Sequence, residues 1–156
     1  GYDYVALGHI HKQQKLDDDG RVWYSGTPIA VSFDEVMPML DMSSMEDAEI
    51  VLVAYGISSR VSKSAVKLAR AQGIKLGLIR PITLWPFPKA PFKKAAGHVR
   101  QFLSVELSMG QMIEDVRLAS ECAVPVTLVN RVGGMIPSPD QVLEAIRKAN
   151  QNGGKD

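Results

Sequence analysis

The chain has 156 residues, of which 46% are hydrophobic and 22% charged, and its 18 basic and 17 acidic side chains leave a formal charge of +1. This composition is typical of an ordinary globular domain, and so small a charge argues against nucleic acid or an anionic membrane as partner. The single Cys122 excludes an intramolecular disulfide, and no apolar run approaches the roughly 20 residues of a membrane span. Because it shows no signal-peptide or transit pattern, the sequence predicts a protein of the reducing cytoplasm.

Charge divides the chain near residue 45. Residues 1–45 carry three basic and seven acidic side chains, whereas the remainder carries 15 basic and ten acidic ones. The segment VMPMLDMSSMED (36–47) is rich in Met and lacks the period of a helix or a strand. We therefore predict a joint there, with an N-terminal β segment over 1–40 and a second domain over 47–150.

Four short apolar runs follow Glu49 and predict buried strands. They are IVLVAY (50–55), IKLGLI (74–79), FLSVEL (102–107) and VPVTLV (124–129). Helical patterns separate or follow these runs at 59–72, after Ser108 and after Ser138, where Ser-x-x-Gln spacing indicates capping boxes. The alternation predicts a three-layer α/β/α domain with a mainly parallel sheet.

The stretch RPITLWPFPKAPF (80–92) contains four prolines and predicts a long rigid loop, with at most a turn of helix after Pro91. In a parallel sheet, ligands and partners meet the loops at the carboxyl ends of the strands. Those loops are expected at 56–60, 80–88, 107–111 and 130–137.

Three stretches carry a resemblance to a known family. DAEIVLVAYGISSRVSKSAVKLARAQGIKLGLIRPITLWPFP begins at Asp47, VELSMGQMIEDVRLA at Val105 and RVGGMIPSPDQVLEAI at Arg131. They closely resemble the C-terminal domain of the α subunit of 2-oxoacid:ferredoxin oxidoreductases, nearest to the 2-ketoisovalerate and 2-oxoglutarate branches. The resemblance covers residues 47–148 and implies a fold like the C-terminal domain of transketolase-type thiamine enzymes.

The resembled enzymes decarboxylate a 2-oxoacid on thiamine diphosphate with Mg²⁺, transfer the acyl group to coenzyme A and pass electrons through iron–sulfur clusters to ferredoxin. The resemblance implies that these cofactors bind outside the matched region, and one Cys is too few for a cluster, which needs about four thiolates. We therefore predict no catalytic and no cofactor-binding residue in this chain. The implied role is subunit assembly and one wall of a thiamine site completed elsewhere. The partners would be the thiamine-binding β subunit and, as a further candidate, a second copy.

The loop residues Arg80, Trp85, Phe87, Gly133 and Gly134 are predicted to dock a partner. Trp85 and Phe87 stand between prolines on a stiff backbone that suits aromatic anchors, and packing over the sheet edge is an equal alternative. For Arg80, the alternative interpretation is a salt bridge that anchors the loop. For the glycine pair, a tight turn is the alternative to a ligand contact.

Glu106 ends a buried strand, and Gly110–Gln111 precede a helix. These residues could form a functional carboxylate or an anion site, and the alternative is that they cap the helix. We favour helix capping, because the sequence places no second titratable group there to share acid–base catalysis. Met109 and Met112 are expected on the core-facing side of the same helix.

The first forty residues resemble a different family. DYVALGHIHKQQKL and RVWYSGTPIAVSFDE resemble the nuclease subunit of the SbcCD exonuclease, a metallophosphoesterase in which a G-H-x-H turn offers imidazoles to two metals. Only His9 and His11 of that site are present, so the predicted metal site is weak and incomplete. A metal-dependent phosphoesterase is therefore the alternative function.

Two origins of the first segment remain open. It is either a piece of an unrelated gene, which would make the chain a chimera, or a natural extension that shares the pattern. The charge shift and the two resemblances favour the chimera. VALGHI and VWYSGTPIAVSF are expected as the strands of a β-hairpin that turns at Asp19–Gly20.

Overall fold

The computed structural model describes Val5–Leu7, Gln14–Lys15, Val22–Tyr24 and residues 39–152, and the structural statements below concern these residues. The chain divides into two compact units. The first comprises Gly1–Pro38 with Leu84–Pro86, and the second comprises Met39–Thr83 with Phe87–Asp156.

The first unit contains a small sheet of strands β1 (Val5–Leu7), β2 (Gln14–Lys15) and β3 (Val22–Tyr24). Strand β3 lies in the middle, antiparallel to β2 and parallel to β1. The predicted hairpin paired the VALGHI run antiparallel with the strand that contains β3. That prediction was wrong, because the antiparallel partner of β3 is the short β2. Parallel pairing of β1 with β3 differs from the antiparallel pairing expected for a hairpin. The expected turn at Asp19–Gly20 lies outside the described residues.

The second unit is an α/β/α domain with a five-stranded sheet in the order β4-β6-β5-β7-β8. The strands are β4 (Leu40–Ser43), β5 (Ile50–Ala54), β6 (Leu76–Pro81), β7 (Gln101–Glu106) and β8 (Val126–Asn130). The helices are α1 (Gly56–Arg70), α2 (Lys89–Ala96), α3 (Met112–Ala119) and α4 (Pro139–Asn152). Four strands are parallel and β4 is antiparallel, which confirms the predicted fold class.

The helices cover both faces of the sheet. Helices α1 and α4 pack over a core that includes Ile50, Leu52, Leu103 and Ile146, all fully buried or nearly so. Helices α2 and α3 pack over the opposite face around Phe92 and Phe102. Because both faces are covered there, β5, β6 and β7 are almost wholly buried and read as continuous apolar runs, whereas the edge strand β8 is only partly buried.

Strand β4 lies inside the predicted joint at 36–47, so that prediction was wrong for residues 40–43. Asp41 stands opposite Arg80 in the β4–β6 register and forms an ion pair with it at 3.1 Å. The chain after β4 crosses Gly77, where an added Cβ would lie 2.6 Å from the sulfur of Met45. Glycine on β6 therefore lets this link lie close against the sheet.

Helix α2 starts at Lys89, although 80–92 was predicted as a loop. Pro91 occupies the third position of this helix, where the missing N–H would have no partner within the helix. Proline therefore does not prevent a helix from starting here, and Phe92 brings the new helix onto the core.

The two predicted capping boxes have different outcomes. At α4, the Gln141 N–H donates to the Ser138 hydroxyl at 3.2 Å and the Ser138 N–H donates to Gln141 Oε1 at 3.0 Å, which confirms that box. Helix α3 begins at Met112, and Ser108 donates its hydroxyl to Glu106 instead. Glu106 therefore replaces the predicted cap of α3.

Candidate functional site: the carboxyl edge of the sheet

The four parallel strands end at one edge of the sheet, and each is followed by a loop or a helix start. Strands β5 and β7 are neighbours, but α1 leaves β5 towards one face and α3 leaves β7 towards the other. Such a reversal opens a crevice beyond the strand ends, and ligands usually bind in that crevice in this architecture. The side chains along this edge are therefore the candidates for a functional site.

Glu106 is fully buried at the end of β7 and accepts four hydrogen bonds. The N–H groups of Met112 and Ile113 donate to its two carboxylate oxygens at 3.0 and 2.9 Å. The hydroxyls of Ser104 and Ser108 donate at 2.8 and 2.7 Å. The carboxylate thus occupies the positive end of α3, so those N–H groups have no capacity left for an external anion.

The chain between β7 and α3 is held by further hydrogen bonds. The Asn130 side-chain amide, at the end of β8, donates to the Ser108 carbonyl at 2.8 Å. Gly110 has a φ of +104°, and a Cβ there would lie 3.2 Å from both Ile113 and Leu128. This fixed turn leaves Leu107 and Met109 exposed, with Met109 at 76%.

The structure corrects the placement of Met109. It precedes α3 and faces solvent, whereas Met112 is buried in the core as expected. The helix begins later than predicted because Glu106 and the Gly110 turn fix its first residue, and neither constraint is visible as helical periodicity in the sequence.

The chain between β8 and α4 is likewise held. The Arg131 guanidinium donates to Gln141 Oε1 at 2.8 Å. Gly133 and Gly134 both have positive φ, at +78° and +74°, and an added Cβ at either would meet no atom within 4 Å. The pair therefore serves the backbone turn, and its predicted docking role stays a prediction. The turn leaves Val132, Met135 and Ile136 exposed.

At the end of β6, Arg80 faces the edge strand β4, where its partner is Asp41. Met39 accepts backbone hydrogen bonds from Ile82 and Thr83 at 2.9 and 3.2 Å, and its own N–H donates to the Thr83 hydroxyl at 2.8 Å. These contacts hold the loop start and leave Met39 and Ile82 exposed. The anchoring salt bridge weighed against docking at Arg80 is present.

The two aromatic residues predicted to dock a partner have different surroundings. Phe87 is 7% exposed, and its ring centroid lies 5.1 Å from that of Phe92 within the core. The docking prediction is thus wrong for Phe87, because its ring is used for packing. Trp85 is 64% exposed, and docking there stays a prediction.

Exposed apolar side chains recur after every parallel strand and define what we call the apolar rim. Each of these side chains lies at the carboxyl edge of the sheet. Their backbone is fixed by the start of a helix or by local hydrogen bonds. Sequence reasoning missed this set, because an apolar residue in a loop resembles the start of the next buried element. The rim consists of Met39, Ile57, Ile82, Leu107, Met109, Val132, Met135 and Ile136.

The described part of the edge holds no cluster of metal-ligating side chains. Among the described residues, no group of three or more His, Cys, Asp or Glu could hold a metal ion. Burial raises the pKa of Asp115, and the negative charges of Glu106 and Glu114 raise it further. Both carboxylate oxygens of Glu106 already accept hydrogen bonds from the start of α3. His9 and His11 lie outside the described residues.

The start of α3 does not offer a site for the diphosphate that the sequence resemblance implies. A diphosphate needs free N–H donors at a helix start, and those of α3 that Glu106 binds are taken. The chain has one cysteine, the exposed Cys122, against about four thiolates for an iron–sulfur cluster. The absence of catalytic and cofactor-binding residues in this chain stays a prediction. None of the described helices is long and apolar enough to cross a membrane.

Comparison with known proteins places the second unit in a family. The family model for the pyruvate:ferredoxin oxidoreductase core domain II matches residues 48–142. Ketoisovalerate oxidoreductase subunit VorB of Methanothermobacter thermautotrophicus is 57% identical over 104 residues, which cover 67% of this chain and 29% of that protein. The chain thus spans well under half the length of such relatives.

Solved structures show the same fold. The 2-oxoglutarate:ferredoxin oxidoreductase from Magnetococcus marinus, with 2-oxoglutarate, coenzyme A and succinyl-CoA bound, aligns with a TM-score of 0.63 at 20% identity. The alignment covers 70% of this chain and 19% of that one. A split-gene transketolase, an inactive β4 tetramer, gives a TM-score of 0.61 at 19% identity over 83% of this chain and 48% of that one. The transketolase-like fold is confirmed.

The nuclease resemblance is weaker. One component of the Escherichia coli nuclease SbcCD is 25% identical over 134 residues, covering 83% of this chain and 31% of that protein. This likeness does not favour the phosphoesterase alternative over the oxidoreductase assignment, which rests on much higher identity. The chain belongs to the family of the pyruvate:ferredoxin oxidoreductase core domain II.

Proposed function

We propose that the chain provides the C-terminal domain of the α subunit of a 2-oxoacid:ferredoxin oxidoreductase of the ketoisovalerate type, and that it docks on the other subunits through the apolar rim. The family membership and the 57% identity to VorB support the type of enzyme. The observation that carries the docking is the recurrence of exposed apolar side chains after all four parallel strands.

The rim has the properties of a prepared interface. Its side chains are apolar, and single-domain proteins rarely expose so many apolar groups along one edge without a partner. Glu106, Asn130 and Gln141 bind backbone groups of these loops and of the helix starts through hydrogen bonds, so little conformational entropy remains to be lost on docking. The expected occupant is the thiamine-binding β subunit.

In this proposal the domain is itself non-catalytic and forms one wall of a thiamine site that other domains complete. Thiamine diphosphate, Mg²⁺, coenzyme A and the iron–sulfur clusters bind elsewhere in the complex. A reducing cytoplasm as location and a homodimer as further assembly are parts of the same proposal.

The test is assembly of rim variants. Met109→Asp and Ile136→Asp place a charge on two exposed rim side chains and should weaken association with the β subunit by about tenfold or more each, because a buried unpaired charge is costly at an interface. Their thermal midpoints should remain near that of the native chain, since both side chains face solvent. Association is measured by co-purification and sedimentation of the co-expressed subunits.

Leu118→Asp is the matched control. Leu118 is exposed on α3, outside the rim, so the same substitution there should leave assembly unchanged. Native-like assembly of both rim variants, or equal loss in the control, would contradict docking through the rim.

A further inference from the structure

Strand β8 forms one edge of the five-stranded sheet, and within the described part of the chain only β7 pairs with it. At the start of β8, the Phe102 N–H donates to the Pro125 carbonyl at 3.0 Å. After its end, the Arg131 N–H donates to the Glu106 carbonyl at 3.2 Å. Between these two bonds, successive residues of β8 direct their backbone groups alternately towards β7 and towards the open side. The residues whose N–H and C=O groups point to the open side are Val126, Leu128 and Asn130.

Strand β8 lacks the features that usually protect an edge strand. Such strands commonly carry charges, prolines or bulges that prevent pairing with a further chain. The sequence of β8, VTLVN, contains neither a charge nor a proline, and its register with β7 is continuous over five residues. The opposite edge strand, β4, is shorter and carries the exposed Asp41. The outer side of β8 is therefore open to a further strand.

The helix beside β8 leaves room for that strand. Thr127 lies on the α4 side of the sheet, as does its register partner Leu103 on β7, yet Thr127 is exposed. A groove of about 300 Å³ lies between β8 and α4. A strand added along β8 would direct alternate side chains towards this groove. The residues that line it include Val129, Gln141, Glu144 and Lys148.

A second copy of β8 matches this edge. The outward residues are symmetric about Leu128, so antiparallel pairing about that residue sets Val126 opposite Asn130 of the second copy. Each facing pair of outward residues then exchanges two backbone hydrogen bonds. Thr127 comes opposite Val129 of the second copy, and such β-branched pairs stabilise antiparallel sheets. The edge is therefore complementary to itself.

The charges beside the edge also favour a second copy. On its groove side, α4 carries one acidic and one basic residue, Glu144 and Lys148, which are exposed and form an ion pair at 2.8 Å. The two-fold axis of the pairing brings α4 of both copies to the same face of the joined sheet, running in opposite directions. Each helix therefore meets one acid and one base, and the two helices carry no net charge of like sign towards each other.

We propose that β8 pairs antiparallel with β8 of a second copy about Leu128 and joins the two five-stranded sheets into one. The inference rests on one part of the function proposed above, the homodimer, and gives it an interface. That interface is the side edge of the sheet, whereas the apolar rim binds the β subunit. Either interface can therefore fail in an experiment without the other.

The first experiment measures the dimer dissociation constant of the full chain by sedimentation equilibrium. Thr127→Lys sets a charge against Val129 of the second copy and should raise the constant at least about tenfold, because an unpaired charge inside an interface is costly. Ser64→Lys is the matched control, since it adds the same charge at an exposed position of α1 and should leave the constant unchanged. Thr127→Lys should assemble with the β subunit normally, whereas Met109→Asp should dimerise normally.

Reversal of single charges tests the approach of the two α4 helices. Glu144→Lys leaves only positive charge at these two positions, and Lys148→Glu leaves only negative charge. Each variant alone should therefore dimerise at least about fivefold more weakly than the native chain. An equimolar mixture should form mixed dimers in preference to either homodimer, as measured by native mass spectrometry. That rescue excludes misfolding as the cause of the loss.

Amide exchange at increasing chain concentration tests the register. The Leu128 N–H should exchange more slowly as the dimer forms, whereas the N–H groups of Thr127 and Val129 face β7 in either state and should not change. A monomer at every concentration, equal weakening by Ser64→Lys, absence of mixed dimers or an unchanged Leu128 amide would overturn the inference. Protection of Leu128 only after the β subunit is added would also overturn it, because the edge would then bind a strand of that subunit.

Discussion

The carboxylate of Glu106 accepts the backbone N–H of Ile113 at 2.9 Å, so the last residue of β7 forms the cap of the helix that follows it. The side chain is fully buried, and its second oxygen binds Met112. One acidic residue therefore fixes where α3 starts and how the rim residues Leu107 and Met109 are presented.

Glu106→Gln should destabilise the domain. The amide keeps one acceptor oxygen but turns an NH₂ group towards donors, so the Met112 N–H loses its partner in the interior. Leaving a buried donor unpaired and removing the charge should cost about 2–3 kcal/mol of unfolding free energy. Urea denaturation measures it, with the exposed Glu114→Gln as control, expected within about 0.5 kcal/mol. Equal small effects in both variants would show that Glu106 is not the cap.

Asp115 should make stability depend on pH. Burial and the charges of Glu106 and Glu114 raise its pKa, so the folded state holds this proton more tightly than the unfolded chain does. That stabilisation is complete below about pH 4, the ordinary Asp value, and is lost as the pH rises through the raised pKa. Asp115→Asn should therefore raise the thermal midpoint at pH 7 and have little effect near pH 3.5. A gain of equal size at both pH values would rule out titration of Asp115 as its source.

Phe87→Ala should unfold the domain more easily. The ring packs on Phe92, which in turn lies 5.9 Å from Phe102, so its removal leaves a cavity in the core. We expect a loss of about 3–5 kcal/mol in urea denaturation. Phe87→Leu keeps much of the apolar volume and should recover a large part of it. A loss below about 1 kcal/mol would mean that the loop supports the core little.

The domain boundary should lie before β4. A chain of residues 39–152 is expected to melt cooperatively, because it keeps every strand of the five-stranded sheet and the Asp41–Arg80 pair. A chain that starts at residue 44 loses β4 and leaves β6 as an open edge, so its midpoint should fall by about 5–10 °C. Equal midpoints in calorimetry would show that β4 is dispensable.

The sequence was sufficient for the elements that have a clear apolar pattern. The four apolar runs and the box at Ser138–Gln141 predicted the parallel strands and the start of α4 within a few residues. Strand β4 was missed because an edge strand with exposed side chains, such as Asp41 and Met42, has no apolar pattern.

The site was harder to predict because it depends on contacts between distant residues. Nothing in the local sequence shows that Asn130 holds Ser108. Helix capping at Glu106 was favoured from the sequence and is confirmed, but the residue at which α3 starts was not predicted. Without knowledge of those contacts, the sequence predicts Met109 on a core-facing helix, and the exposed side chains of the apolar rim are not recognised.

Hydrogen exchange of the complex tests the central claim most directly. The free chain and the chain assembled with the β subunit are compared amide by amide. Docking through the apolar rim predicts that amides of residues 107–111 and 131–136 exchange at least about tenfold more slowly in the complex, while the exposed turn at Glu121–Ala123 is unchanged. Protection confined to other surfaces, with the rim loops exchanging as fast as in the free chain, would contradict it.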